Sequence, residues 1–204
     1  MSFIDLYKQN QSCLQQIERV ASDLHAAVNQ HYDRDLPYAF HLRLTASYLT
    51  RFAHLLPVSA DNIQTLYAAA FFHDSIEDAR LTYNDLVRQF ERLNQAGCNI
   101  QVHDAAEIVY ALTNDKGRTR SERAGDAYYE GIRSTPFASV LKVCDRLANL
   151  RYSTLFGIRQ RMVKVYREEM PHFVKAVTEG AVTLVPQEMI DELYRLMDEG
   201  FDLD

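Results

Sequence analysis

The sequence predicts an all-α protein, a single-domain bundle of about eight to ten helices. Two observations support this prediction. Only seven glycines and five prolines interrupt 204 residues, and the apolar residues recur mostly at the three- and four-residue spacing of amphipathic helices. A chain of this length usually folds as one domain and can bury a substantial core. We therefore expect residues 1–204 to form one domain.

The helix boundaries follow from capping residues and from breaks in the apolar pattern. Pro37 and Pro136 stand where helices can start, because a first helical turn does not use the N–H that proline lacks. Thr82 is a good N-cap, and Gly97 can close the helix that follows it. We expect the last two helices to be lid or packing elements. The predicted helices span about 4–28, 38–56, 61–73, 83–95, 102–112, 122–133, 137–152, 159–179 and 187–199.

The composition restricts the class of protein. Hydrophobic residues make up 47% of the chain and charged residues 25%, which is typical of globular proteins. No stretch approaches the roughly 20 apolar residues of a membrane span, and the N-terminus does not resemble a signal peptide. A net charge of -6 disfavours a broad nucleic-acid surface but allows a local basic pocket for a small anion. We expect a cytoplasmic protein that binds a small molecule, with no membrane or nucleic-acid partner; the oligomeric state stays open.

The segment with the most chemical character is FFHDSIEDA, residues 71–79, which ends an apolar run. Its polar residues are His73, Asp74, Glu77 and Asp78. On a helix, positions i and i+4 share a face, so the histidine would point the same way as the glutamate, and the first aspartate the same way as the second. Buried charges need partners, and a bound cation can satisfy several carboxylates at once. The alternative, a solvated acidic turn, would be favoured for an isolated His-Asp pair.

Two further segments supply what a metal site would still lack. His41 lies in the first turn of the second predicted helix, and Asp145 lies within an apolar stretch of a later one. Two imidazoles and two carboxylates, without a thiolate, suit a borderline-to-hard divalent ion and leave coordination positions open for water and substrate. We expect one divalent ion per chain, with Mn²⁺ preferred and Fe²⁺, Co²⁺ or Zn²⁺ as alternatives.

The most basic part of the chain follows the helix predicted at 102–112. This segment, TNDKGRTR at 113–120, and the residues just after it carry Lys116, Arg118, Arg120 and Arg123. Two interpretations remain open. The cluster is either a solvated connector or a surface that contacts phosphate groups.

Three motifs, taken in order, resemble those of the HD-domain metal-dependent phosphohydrolases. The resemblance is closest to the branch that hydrolyses alarmones, meaning the hydrolase half of RelA/SpoT and its small stand-alone relatives. That branch has PYxxHP, HDxxED and DRLxNxR motifs. This chain has PYAFHL at 37–42, HDSIED at 73–78 and DRLANLR at 145–151. The resemblance covers about 24–166 and implies an HD-type helical bundle on which the C-terminal helices pack.

The resemblance implies a role for each matching residue. The implied metal ligands are His41, His73, Asp74 and Asp145. Glu77 and Asp78 are assigned to the water that attacks phosphorus, and Asn149 is assigned to the nucleotide sugar. We expect further substrate contacts from Lys116, Arg118, Arg34 and Arg151. The implied activity is that of an enzyme that hydrolyses a phosphorylated nucleotide, in its most specific form by removing the 3′-diphosphate from guanosine tetra- or pentaphosphate, (p)ppGpp.

The sequence departs from this pattern on the substrate side. Leu42 replaces the proline that follows the first ligand histidine, and Ala148 stands where histidine or tyrosine is common. The segment HYDRDLPY, residues 31–38, is shorter and more acidic than the usual basic stretch, and Arg34 is its only cation. Two alternatives follow: a phosphatase for another phosphorylated nucleotide, such as a nucleoside monophosphate or a 2′- or 3′-phosphorylated dinucleotide, or a non-catalytic binding protein. Retention of both Glu77 and Asp78 disfavours the second.

Overall fold

The protein is all-α in the computed structural model, which describes residues 2–114, 125–155, 160–180 and 182–199. This confirms the predicted fold class. Two short antiparallel strands, β1 (His31–Asp33) and β2 (Leu36–Pro37), form a hairpin between the first and second helices. A 3-10 turn, Ala53–Leu55, follows the second helix. Within the described residues the helices are α1 Phe3–Ala27, α2 Ala39–Phe52, α3 Ile63–Phe72, α4 Tyr83–Gln95, α5 Val102–Leu112, α6 Asp126–Ser134, α7 Ala138–Leu155, α8 Gln160–Thr178 and α9 Gln187–Glu199.

Local sequence signals set several of these boundaries. Helices α4, α5 and α9 have the predicted limits. At the start of α4 the Thr82 side chain accepts a hydrogen bond from the backbone N–H of Asp85, and the Asp85 side chain accepts one from the backbone N–H of Thr82. This reciprocal arrangement satisfies two N–H groups that a helix start would otherwise leave without partners. Gly97 follows α4 with a φ of 101°, a conformation that glycine adopts without strain. The start of α6 predicted near residue 122 lies outside the described residues.

The segment before α2 differs from the prediction. We expected no strands here, only a helix from about residue 38 with Pro37 where it could start. Instead the chain forms the β1–β2 hairpin, Pro37 lies in β2, and α2 begins at Ala39. Both strands of a two-stranded hairpin are edge strands, and an edge strand tolerates proline because the N–H that proline lacks can be one that would not bond to the other strand. The hairpin matters for the site because it packs beside the first turn of α2.

Helix α3 is the centre of the bundle. All ten of its residues are buried, and it packs against α1, α2 and α5. Helix α7 packs on the other side of α2 and also contacts α8 and α9, so the last two helices are packing elements of the core. Because α2 lies between α3 and α7, the start of α2, the end of α3 and the middle of α7 come together.

Among the described helices, none combines the length and the apolar character that crossing a membrane requires.

Candidate metal centre

Three side chains from three helices meet at one buried point. His41 lies in the first turn of α2, His73 directly follows α3, and Asp145 lies in the middle of α7. The Nε2 atoms of the two histidines are 3.1 Å apart, and Nε2 of His41 is 3.3 Å from Oδ1 of Asp145. The candidate ligand atoms all lie within 4.8 Å of one another. This buried group can hold a metal ion.

Asp74 brings a second carboxylate to the same point. Its Oδ2 atom is 2.9 Å from Nε2 of His73 and 3.3 Å from Nε2 of His41. The side chain of Asp74 is 20% exposed, more than those of the other three residues, and it lines the adjoining cavity. The four residues expected to bind metal are therefore brought together, with two nitrogen and two oxygen donors, a set that suits a borderline divalent ion.

The tautomer of His73 is fixed by the backbone of α3. Its Nδ1 is 2.8 Å from the carbonyl oxygen of Ala70 and must donate to it, so in the neutral ring Nε2 carries the lone pair that faces the cluster. His41 is held differently. Its Nδ1 is buried and has no hydrogen-bond partner among the described residues.

The electrostatics of the cluster favour a positive charge between the carboxylates. Burial disfavours the imidazolium of His41, but hydrogen bonds to Asp145 and Asp74 outweigh burial and raise its pKa to about 9. Burial also disfavours the imidazolium of His73, but the charge of Asp74 and a hydrogen bond to it outweigh burial, so the pKa of His73 is raised. Protons and a divalent cation therefore compete for the same two nitrogens.

The two carboxylates respond in the opposite direction. Burial alone would raise the pKa of each, but attraction from His73 lowers the pKa of Asp74, and attraction from Lys142 lowers that of Asp145. Both side chains stay ionised at neutral pH. Two ionised carboxylates facing two imidazoles leave an excess of negative charge when the imidazoles are neutral, which a divalent cation would balance.

Glu77 and Asp78 lie at the edge of the cluster, where α3 has given way to turns. The hydroxyl of Tyr38 is 2.6 Å from Oδ2 of Asp78 and 2.6 Å from Oδ2 of Asp74, so it links the two carboxyl groups. The backbone N–H of Asn114 donates to Oε1 of Glu77. Loss of hydration against the surrounding walls is the main cause that raises the pKa of both Glu77 and Asp78.

The cluster opens into a cavity of about 240 Å³. Two of the described lining side chains are cations, Lys142 and Arg146. The carboxylates that line it are Asp74, Glu77, Asp78, Asp145 and Glu169. Acidic groups outnumber basic ones on the described walls, so an anionic ligand would need the charge of a bound cation or of other basic groups.

Sequence reasoning missed both cations. Nζ of Lys142 lies 3.1 Å from Oδ2 of Asp145, and Lys142 could have been found, because residues three apart share a helix face. The guanidinium of Arg146 lies 4.5 Å from the ring centre of Tyr166 and 4.3 Å from that of Phe173. No local signal predicted this arrangement, because the two rings come from α8.

Of the residues expected to contact substrate, the structure places only some at the cavity. Asn149 lines the cavity, but its Nδ2 donates to Oδ1 of Asp145 at 2.6 Å and its Oδ1 accepts from the hydroxyl of Tyr32 at 2.8 Å. Its amide is therefore already engaged with protein on both sides. Arg34 is exposed in the hairpin, and Arg151 lies 3.4 Å from Glu199 in α9; neither lines the cavity. Lys116, Arg118, Arg120 and Arg123 lie outside the described residues.

Comparison with known proteins identifies no family. No model of a protein family matches the chain, and no curated protein matches it. The function is therefore inferred from the site.

Proposed function

We propose that this protein is a metal-dependent phosphohydrolase that acts on a phosphorylated nucleotide. The observation that carries the proposal is the convergence of His41, His73, Asp74 and Asp145 beside two further carboxyl groups at the wall of a cavity. Ligands clustered on one side of a cavity leave the other side free for water and substrate, which is the arrangement of a catalytic rather than a structural metal site. The order of the three sequence motifs supports the same function.

The donor set fits one divalent ion. Two imidazole nitrogens and two carboxylate oxygens suit a borderline-to-hard divalent ion, for which we propose Mn²⁺, with Fe²⁺, Co²⁺ and Zn²⁺ as alternatives. A bound ion would lower the pKa of an attacking water and polarise a phosphoryl oxygen. Asn149 and Lys142 both contact Asp145, and they would keep its carboxylate directed at the centre.

Glu77 and Asp78 are the proposed proton acceptors. A general base works best when its pKa lies near the working pH. Loss of hydration raises the pKa of both carboxyl groups above their usual acidic range. Tyr38 holds Asp78 beside Asp74. The carboxyl group of Glu77 loses hydration against the cavity wall, but the residue as a whole stays accessible to solvent, to which it can pass a proton. Hydrolysis by water needs no covalent intermediate, and neither residue has to act as a nucleophile.

The most specific version of the proposal is removal of the 3′-diphosphate from (p)ppGpp. A second version is hydrolysis of another phosphorylated nucleotide that carries fewer charges. The placement of Arg34 and Arg151 away from the cavity favours the second version, because a tetraphosphate needs several cations besides Lys142 and Arg146. The basic segment at 116–123 would favour the first if it borders the cavity.

A substrate screen tests the proposal. The Mn²⁺-loaded protein is incubated with (p)ppGpp, nucleoside monophosphates, and 2′- and 3′-phosphorylated dinucleotides, and the products are identified by mass. We expect one class to be hydrolysed by the wild-type protein and not by His73→Ala. If Mn²⁺ binds at one ion per chain and no member of the panel is hydrolysed, the protein is a binding protein and the proposal is wrong.

A further inference from the structure

The two candidate ligand histidines are oriented by different means. A histidine that binds metal through one ring nitrogen usually donates the other N–H to a carboxylate, a carbonyl or water, which fixes its tautomer and its angle. His73 follows this rule through the carbonyl of Ala70. His41 does not, because its Nδ1 is buried without a partner among the described residues. Another contact must therefore hold the ring of His41.

Tyr32, in β1, supplies that contact. Its ring lies on the imidazole of His41 with centroids 4.8 Å apart and planes 10° apart. A face-to-face neighbour at this distance prevents the imidazole from turning about its Cβ–Cγ bond, because a turned ring would overlap the tyrosine. Stacking thus replaces the missing hydrogen bond in fixing the direction of Nε2.

The hydroxyl of Tyr32 acts on a second ligand. It donates to Oδ1 of Asn149 at 2.8 Å, and the Nδ2 of Asn149 donates to Oδ1 of Asp145 at 2.6 Å and to its backbone carbonyl at 3.0 Å. Because an ionised carboxylate can only accept, Asp145 fixes which end of the amide faces it. The hydroxyl of Tyr32 donates to the other end of the amide and so holds Asn149 in the place from which it contacts Asp145.

The hairpin is attached firmly enough to transmit these contacts. Tyr152 in α7 packs edge-on against Tyr32 with centroids 4.8 Å apart, and its hydroxyl donates to Oδ2 of Asp33 at 2.6 Å. Two side chains of β1 are thus bonded to α7, while the ring of Tyr32 lies against α2. We propose that Tyr32 is a positioning residue that orients two candidate metal ligands at once, His41 through its ring and Asp145 through its hydroxyl and Asn149. This inference rests on the proposed metal-dependent function of the site.

Two substitutions separate the ring from the hydroxyl. Tyr32→Phe keeps the stacked ring and removes the hydroxyl, whereas Tyr32→Leu removes both. Mn²⁺ affinity is measured by equilibrium dialysis, and the Co²⁺-loaded protein gives an absorption spectrum that reports ligand geometry. We expect Tyr32→Leu to weaken Mn²⁺ binding by about 10- to 100-fold, and Tyr32→Phe to weaken it less, with a shifted Co²⁺ spectrum in each. Tyr110→Leu and Tyr110→Phe are the controls, because Tyr110 is 53% exposed on α5, and both should behave as wild type.

A double substitution tests the route through Asn149. If the hydroxyl acts on Asp145 through this amide, Tyr32→Phe should add no further loss of Mn²⁺ affinity in an Asn149→Leu background. Melting of the metal-free variants shows whether the fold is intact. Should Tyr32→Leu disturb the fold, Tyr32→Phe still tests the proposal through the spectrum and the double substitution.

The outcomes separate this inference from the proposed function. Wild-type Mn²⁺ affinity and an unchanged Co²⁺ spectrum in both Tyr32 variants would overturn the positioning role. A wild-type protein that binds no Mn²⁺ would overturn both proposals. A protein that binds Mn²⁺, loses affinity in the Tyr32 variants and hydrolyses nothing would support the positioning role and reject only the phosphohydrolase function.

Discussion

Two buried histidines, His25 and His41, lie against the ring of Tyr38, and their surroundings act on them in opposite directions. Each is 1% exposed. His25 stacks on Tyr38 with centroids 4.4 Å apart and planes 6° apart, and neither of its ring nitrogens has a hydrogen-bond partner among the described residues. Burial lowers the pKa of His25 to about 4, whereas Asp145 and Asp74 hold that of His41 at about 9 in spite of burial.

Burial therefore does not make a histidine a metal ligand; neighbouring carboxylates do. His25 stays neutral at ordinary pH and serves as a flat packing surface for Tyr38, whose hydroxyl lies between Asp74 and Asp78. His41 faces two ionised carboxylates and needs a positive charge beside it. Two histidines that contact the same tyrosine ring therefore differ in role: His25 is structural, and His41 is a candidate metal ligand.

The largest expected difference between the two histidine environments is in metal content. His73→Ala or Asp145→Ala removes one of four donors from the carboxylate cluster, and we expect Mn²⁺ to fall from one ion per chain to almost none by elemental analysis. His25→Phe should keep the full content, because His25 contributes no donor. Stoichiometric Mn²⁺ in His73→Ala, or its loss in His25→Phe, would reverse the assignment.

The next effect concerns turnover rather than metal. Glu77→Gln and Asp78→Asn retain the size of each side chain and remove its ability to accept a proton. We expect each to keep Mn²⁺ and to lower kcat on the best substrate by about 10² to 10⁴, the usual range for general acid–base groups. Glu91→Gln, an exposed site on α4, is the matched control. An unchanged kcat in both variants would leave the two carboxylates without a catalytic role.

The all-α fold and the residues of the candidate metal cluster could be predicted because their signals are local. Helix caps such as Thr82, and polar groups inside apolar segments such as His73 and Asp145, are visible in the sequence. His25 was not predicted to be buried, because a single histidine within an amphipathic helix does not show which side of the helix faces the core. Ala21 and His25 are buried in the last turns of α1, with Val20 and Leu24 partly buried beside them.

The hairpin and the substrate side could not be predicted because they depend on contacts between distant segments. Strands of three and two residues are too short to show an alternating pattern, and the hairpin is held through Tyr152 in α7, far away in the sequence. The engagement of Asn149 by Tyr32 depends on the same packing. The phosphate-binding role of Lys116 and Arg118 remains a prediction.

A smaller effect should appear in the pH dependence of stability. A histidine whose folded pKa is raised stabilises the fold fully below its unfolded pKa, and this contribution is lost as pH rises through the folded pKa. For His41 that window runs from 6.5 to about 9. The metal-free protein should therefore lose several degrees of melting temperature across this range. Asp74 and Asp145 act only below their usual value of 3.8, outside the window.

Mn²⁺ provides the control for this pH effect. A bound divalent cation takes over the role of the protons, so the loaded protein should show a flatter profile between the same limits, and Mn²⁺ binding within the window should release protons that a weakly buffered solution can record. A metal-free melting temperature that rises from pH 6.5 to about 9 would show that His41 is not held in its charged form by the carboxylates.

The smallest effect is expected at His25, where stability should fall as pH is lowered, the opposite of the pH dependence expected from His41. A histidine whose folded pKa is lowered destabilises the fold as pH falls from its unfolded value of 6.5 toward about 4, because the unfolded chain then binds a proton that the folded chain does not. His25→Phe keeps a flat ring against Tyr38 and removes two buried nitrogens without partners, whose burial costs free energy. We expect the melting temperature of the variant to exceed that of wild type by a few degrees at pH about 5 and by a smaller amount at neutral pH. His103→Phe, at an exposed site on α5, should show no such acid-dependent gain. A His25→Phe variant that melts lower than wild type at both pH values would mean that the imidazole itself, and not only its flat ring, supports the residues around Tyr38.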